Sequence, residues 1–90
     1  MKYMSLRRSL IEYCRKLYDK GLLPGIDGNI SARAGGDAML ITPSGKGKDT
    51  LRPKDLVLMS LSGEVIGKGQ PSTEAPMHIA AYKKAPAQER

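Results

Sequence analysis

Glycine and proline punctuation fixes the plan of this chain before any other feature. Ten glycines and six prolines lie mostly between its apolar runs. Proline lacks the backbone N–H that helices and inner strands use, and glycine loses more freedom on ordering than other residues, so such clusters end regular structure. Only residues 4–20 and a stretch from about 74 to 84 are long enough for helices. Between them the apolar runs are short, at 30–33, 39–42, 56–61 and 64–66, which is strand length. The chain is therefore α/β, with a helix at each end and a hairpin-linked sheet between.

In the first helix Leu6, Leu10, Cys14, Leu17 and Tyr18 recur at spacings of three and four and form one apolar stripe. Ser5 is placed to cap its start, and Gly21 to take the left-handed residue at its end with Leu22 folding back. This helix reads as packing alone. Gly35, Gly36 and Asp37 turn the chain between two strands, and residues 52–55 form a short turn or a single helical turn. Pro76 marks the start of the last helix, because proline is tolerated only in the first turn. Placing Thr73 as N-cap puts Glu74 at N1 and Pro76 at N3. Met77, Ala80 and Ala81 are expected to form the buried face of this helix, with Glu74, His78 and Tyr82 on a neighbouring stripe.

Ninety residues make one small domain at most. The formal charge of +6 would suit an anionic partner. The basic residues, however, are dispersed from Lys2 to Arg90, and no base-stacking aromatics are interleaved with them. They read as solvated surface, so no nucleic-acid partner is expected. A single cysteine, Cys14, cannot form an internal disulfide and reads as a packed residue in a reducing, cytoplasmic setting. No apolar run approaches the roughly 20 residues of a membrane span, and no membrane partner is expected.

Three loops carry the polar chemistry. Gly28 and Asn29 follow Pro24 and Gly25, and read either as a tight turn or as a loop that a ligand can approach closely. Ser44 and Gly45 follow the apolar run 39–42 and precede Lys46 and Lys48. That is an anion loop or simply a polar one, and it lacks the glycine spacing of a Walker A sequence. Ser72, Thr73 and Glu74 stand at a helix start, where free N–H groups and the dipole favour anions. Together the loops offer hydroxyls, a side-chain amide and backbone N–H groups, all donors suited to phosphate. Glu74 can serve as acid/base or metal ligand. His78, four residues on, faces the same side and can share a metal with it. Two ligands fall short of a secure zinc site, so the pair reads more simply as a surface or supporting contact.

The order of these motifs resembles the class II aldolase/adducin family, and within it the fuculose-phosphate aldolases. The resemblance is carried by Gly28 to Arg33, Ile41 to Gly45, Leu56 and Val57, Gly63, and Pro71 to Glu74 followed by His78 and Tyr82. It implies a partial αβα layered sandwich with a central, mainly antiparallel sheet, the N-terminal portion of a larger single domain. By position, Gly28, Asn29, Ser44, Gly45, Ser72 and Thr73 match the family's phosphate-binding residues. Glu74 matches its acid/base glutamate, which can also approach the metal. The implied activity is a metal-dependent lyase that cleaves a ketose 1-phosphate through a zinc-stabilised enediolate. Dehydratases of methylthioribulose phosphate, 4-epimerases of ribulose phosphate and non-catalytic adducin-like interaction modules share the pattern. The implied cofactor is zinc, its histidine ligands expected beyond Arg90, since His78 is not at a ligand position. The implied partners are a small sugar phosphate and further copies of the subunit in a homotetramer. The 90-residue chain alone is expected to bind zinc weakly and to leave substrate unconverted, and its sheet to present an exposed edge.

Overall fold

The computed structural model describes residues 2–21, 29–45 and 50–84. Helix α1 runs Met4–Asp19, strands β1, β2 and β3 run Ser31–Ala34, Ala38–Ile41 and Val57–Ser60, and helix α2 runs Ala75–Lys84. A single 3-10 turn, Pro53–Asp55, precedes β3. The strands form one antiparallel sheet in the order β1-β2-β3. Ser31 pairs with Ile41 and Ala34 with Ala38 in the first ladder, and Ala38 with Ser60 and Ile41 with Val57 in the second.

Side chains alternate across a strand, so each ladder feeds two faces. Leu40 and Leu58 point to one side and pack with Leu10 and Ile11 of α1. Met39, Ile41, Val57 and Met59 point to the other and pack with Ala75, Ile79 and Tyr82 of α2. A helix therefore covers each face, giving the three-layered αβα arrangement that the family resemblance implies. This explains why β2 reads as an unbroken apolar run: Met39, Leu40 and Ile41 are all wholly buried.

Several local expectations change. Ser5 does not cap α1; the residue before the helix is Tyr3, held left-handed at φ 61°, and no side chain bonds the helix end. Gly21 does take the left-handed position, at φ 72°, while Leu22 and Gly28 lie outside the described residues. Residues 64–66 do not form a full strand. They contact β3 through one bridge, Met59 to Val65, and the bonds Ile66 N–H to the Leu58 carbonyl and Ser60 N–H to the Glu64 carbonyl. Met77, Ala80 and Ala81 are exposed rather than buried. Ala75, Ile79 and Tyr82 face the sheet instead, because Ile79 and Tyr82 offer far more apolar surface than two alanines. α1 also buries a charge: Arg7 is 6% exposed and donates to the carbonyls of Lys2, Pro53 and Leu56. It pins the 3-10 turn against the helix, a role beyond the apolar stripe.

Candidate functional site

Thr42 joins the polar loops. It is wholly buried at the end of β2. Its N–H donates to the Ile30 carbonyl at 3.0 Å, and its hydroxyl accepts the Ile30 N–H at 3.3 Å. Its carbonyl accepts the Ser72 N–H at 3.1 Å, and the next N–H, of Ser44, donates to the Gln70 carbonyl at 3.0 Å. Between these two bonds Pro43 stands opposite Pro71 as an isolated antiparallel bridge. In such a ladder, alternate pairs exchange no hydrogen bonds, so two residues without N–H groups can face each other at no loss. The segments at 29–30, 42–45 and 70–72 are thus fastened at one point.

Ser72 sits next to this joint and is 6% exposed. Its hydroxyl donates to Asn29 Oδ1 at 2.5 Å and accepts the Glu74 N–H at 3.1 Å. The helix start is therefore capped by Ser72 and not by Thr73, which is exposed. α2 begins at Ala75, not at the expected Glu74, and the Ser72 carbonyl accepts the Ala75 N–H at 3.0 Å, so the cap bond belongs to the turn 72–75 that leads into the helix. With Asn29 Oδ1 already accepting the hydrogen bond from Ser72, the amide NH2 is the group the Asn29 side chain offers a ligand.

Asn29, Ser44, Gly45, Ser72, Thr73 and Glu74 line a single cleft of about 210 Å³, with Pro43 at its wall. Six of the residues singled out in the sequence meet there, while Gly28 lies outside the described residues. Gly45 turns at φ 72°, a left-handed conformation that costs glycine nothing. The cleft is smaller than the roughly 300–1,000 Å³ of drug-sized ligand sites and its lining is polar, which suits a small oxyanion. A larger hollow of about 720 Å³, between Arg7, Leu56, Leu58 and Ile66, gathers none of these donors.

Glu74 is exposed at the cleft's rim. His78, one turn on, is half-buried, and its Nδ1 lies 2.6 Å from Ser31 Oγ. The Tyr82 hydroxyl lies 2.8 Å from the same oxygen. Arg33 Nη2 donates to the Tyr82 carbonyl at 2.7 Å, and its guanidinium stands 5.2 Å from the Tyr82 ring centre. Among the described residues no three His, Cys, Asp or Glu side chains gather as a metal-binding group. Glu74 is the carboxylate of the cleft, and the inner nitrogen of His78 is engaged by Ser31. These residues do not by themselves fit the three or four protein ligands of a zinc centre. Thr42 and Ser31 are the contributors that sequence reasoning passed over. Each had a signal: a polar residue closing an apolar run before proline, and a hydroxyl two residues after Asn29.

Comparison with known proteins bears on the family and the fold. The model of the Class II Aldolase and Adducin N-terminal domain matches residues 8–89. L-fuculose phosphate aldolase of Methanocaldococcus jannaschii is 38% identical over 78 residues, covering 87% of this chain and 42% of that enzyme. Methylthioribulose-1-phosphate dehydratase of Methylococcus capsulatus is 38% identical over 77 residues, covering 86% and 38%. A solved L-fuculose 1-phosphate aldolase superposes with a TM-score of 0.86 at 33% identity, over 94% of this chain and 41% of that one. The chain thus spans 38–42% of the length of these relatives. A family model that matches nearly the whole chain, and a fold shared with a solved relative, establish that this chain belongs to the class II aldolase and adducin family.

Proposed function

We propose that this chain supplies the phosphate-binding part of a zinc-dependent sugar-phosphate aldolase, which cleaves a ketose 1-phosphate by a retro-aldol reaction. The observation that supports it is the meeting of three polar loops, around Asn29, Ser44 and Ser72, at one small cleft with a carboxylate at its rim. In this reading the Asn29 amide, the Ser44 and Thr73 hydroxyls and the turn at Gly45 hold the phosphate. Ser72 orients Asn29 and the first turn of α2. Fixing the phosphate places the carbon chain of the sugar beside Glu74. In the cleavage a base takes the proton of the hydroxyl, the carbon–carbon bond breaks, and its electron pair passes to the carbonyl as an enediolate. A proton must then be returned to carbon. Glu74 is the group we assign to proton transfer. A divalent metal would polarise the ketose oxygens; its other ligands would come from outside these 90 residues. Within the same reading the full protein is a cytoplasmic homotetramer.

A dehydratase acting on a methylthioribulose 1-phosphate is the second reading. It is favoured by the 38% identity to the Methylococcus enzyme, equal to that of the Methanocaldococcus aldolase. Both reactions need the phosphate anchored, so the cleft serves either. The test is a titration of the chain with inorganic phosphate followed by amide NMR. Saturable shifts are expected at Asn29, Gly45 and Thr73. Asn29→Ala should weaken binding about tenfold, the loss of roughly one charge-assisted hydrogen bond. Absence of saturable binding, or an Asn29→Ala variant that binds as the wild type does, would overturn the proposal.

A further inference from the structure

We propose that His78 is a positioning residue, which holds the two sides of the cleft in register through the Ser31 hydroxyl. Only the binding arm of its test rests on the phosphate reading. Ser31 opens β1 two residues after Asn29, and His78 lies one helical turn after Glu74 on α2. Ser31 Oγ contacts both His78 Nδ1, at 2.6 Å, and the Tyr82 hydroxyl, at 2.8 Å. A serine hydroxyl has a single proton. With Nδ1 as acceptor, Ser31 donates to His78 and accepts from Tyr82, giving a directional relay from α2 through β1 and back to α2. Arg33 adds a further tie from β1 to the Tyr82 carbonyl at 2.7 Å. Neither Ser31 nor His78 nor Tyr82 lines the cleft. Their effect on it is geometric. The cleft's two sides meet in the bond from Ser72 Oγ to Asn29 Oδ1, and that bond requires α2 to keep its height against β1. Moving α2 by one residue would shift Ser72 by about 1.5 Å, enough to break it.

The test is read first in the phosphate-free chain. His78→Leu keeps bulk and removes the acceptor, whereas His78→Asn offers an amide oxygen near the position of Nδ1. His78→Leu should lower hydrogen-exchange protection of the Glu74 amide about tenfold and move the Asn29 side-chain resonances. His78→Asn should restore both. Ile11→Val, in the core layer on the opposite face, should change neither, although it loosens packing. If His78→Leu does not fold, the smaller change Ser31→Ala carries the same readout. In the second arm, inorganic phosphate should bind His78→Leu about tenfold more weakly, with recovery in His78→Asn. Unchanged Asn29 and Glu74 signals in folded His78→Leu, or His78→Asn behaving like His78→Leu, overturns the positioning role. A wild-type chain that ignores phosphate overturns the phosphate reading instead, and leaves the first arm to decide this one.

Discussion

A single oxygen, Ser72 Oγ, closes the cleft by donating to Asn29 and accepting from the Glu74 N–H. Its neighbour Thr73 bears a similar hydroxyl but is exposed, with the cap bond made by Ser72. Ser72→Ala should therefore cost about 0.5–2 kcal/mol as a lost cap, and leave the Asn29 carbonyl oxygen short of a donor. Thr73→Ala should fall within about 0.5 kcal/mol of wild type. Urea midpoints of the two variants check the order, and a larger loss in Thr73→Ala would contradict the cap assignment. Arg7 offers a second case. Arg7→Met keeps much of the stem but strips the donors from the buried Leu56 carbonyl and the Pro53 carbonyl. A loss of about 2 kcal/mol or more is expected, since each bond to a charged donor contributes roughly 1.5–3 kcal/mol; the same midpoint measurement reads it. Arg7 was not legible in the sequence. An arginine on the border of an apolar stripe looks like a solvated side chain, and two of its three carbonyl partners lie 46 and 49 residues away.

Among the elements, β2 and α1 were readable and α2 only partly so. The run Met39 to Ile41 declared a buried strand because nothing polar interrupts it, and α1 declared itself by a repeating stripe. α2 carries alanines on several faces, so its amphipathic signal is weak and its phase is set from outside. Ser31 and Arg33 of β1 fix Tyr82 and His78, and the helix turns accordingly. The approach to α2 depends on Gly69, where φ is 119° and an added Cβ would stand 2.8 Å from Val57 Cγ2. Gly69→Ala should cost about 1–3 kcal/mol, because it combines a disfavoured backbone conformation with a clash against a buried strand residue. Thermal unfolding of the variant checks this, and an unchanged midpoint would show that the loop can move aside.

For the whole molecule, the arrangement of layers followed from the family resemblance, whereas the closure of the site did not. Motif order pointed to Asn29, Ser44 and Ser72, yet no local pattern states that residues 42–44 pair with 70–72, since periodicity carries no register between distant segments. A ligand that binds only the closed form must stabilise it. At a free phosphate concentration 100 times the Kd, unfolding free energy should rise by about 2.7 kcal/mol, visible as a raised melting temperature that sulfate at lower affinity reproduces only in part. A melting temperature independent of phosphate would count against the cleft as its site.

The pairing of Pro43 with Pro71 has a further consequence, for the order in which the molecule assembles. The bridge joins segments separated by the 3-10 turn, the whole of β3 and residues 61–70. Contacts of that sequence separation wait for the intervening chain to collapse, because loop closure must be met before they contribute. The hairpin of β1 and β2 is local and needs no such delay. The cleft should therefore be among the last parts to form and the first to open. Native-state exchange should find the Ser72 amide, bonded across the bridge to Thr42, opening at lower free energy than the amides of β2. Anion binding would then act as a latch on a subglobal opening, slowing exchange at Ser44 and Ser72 while leaving the β2 core at its original rate.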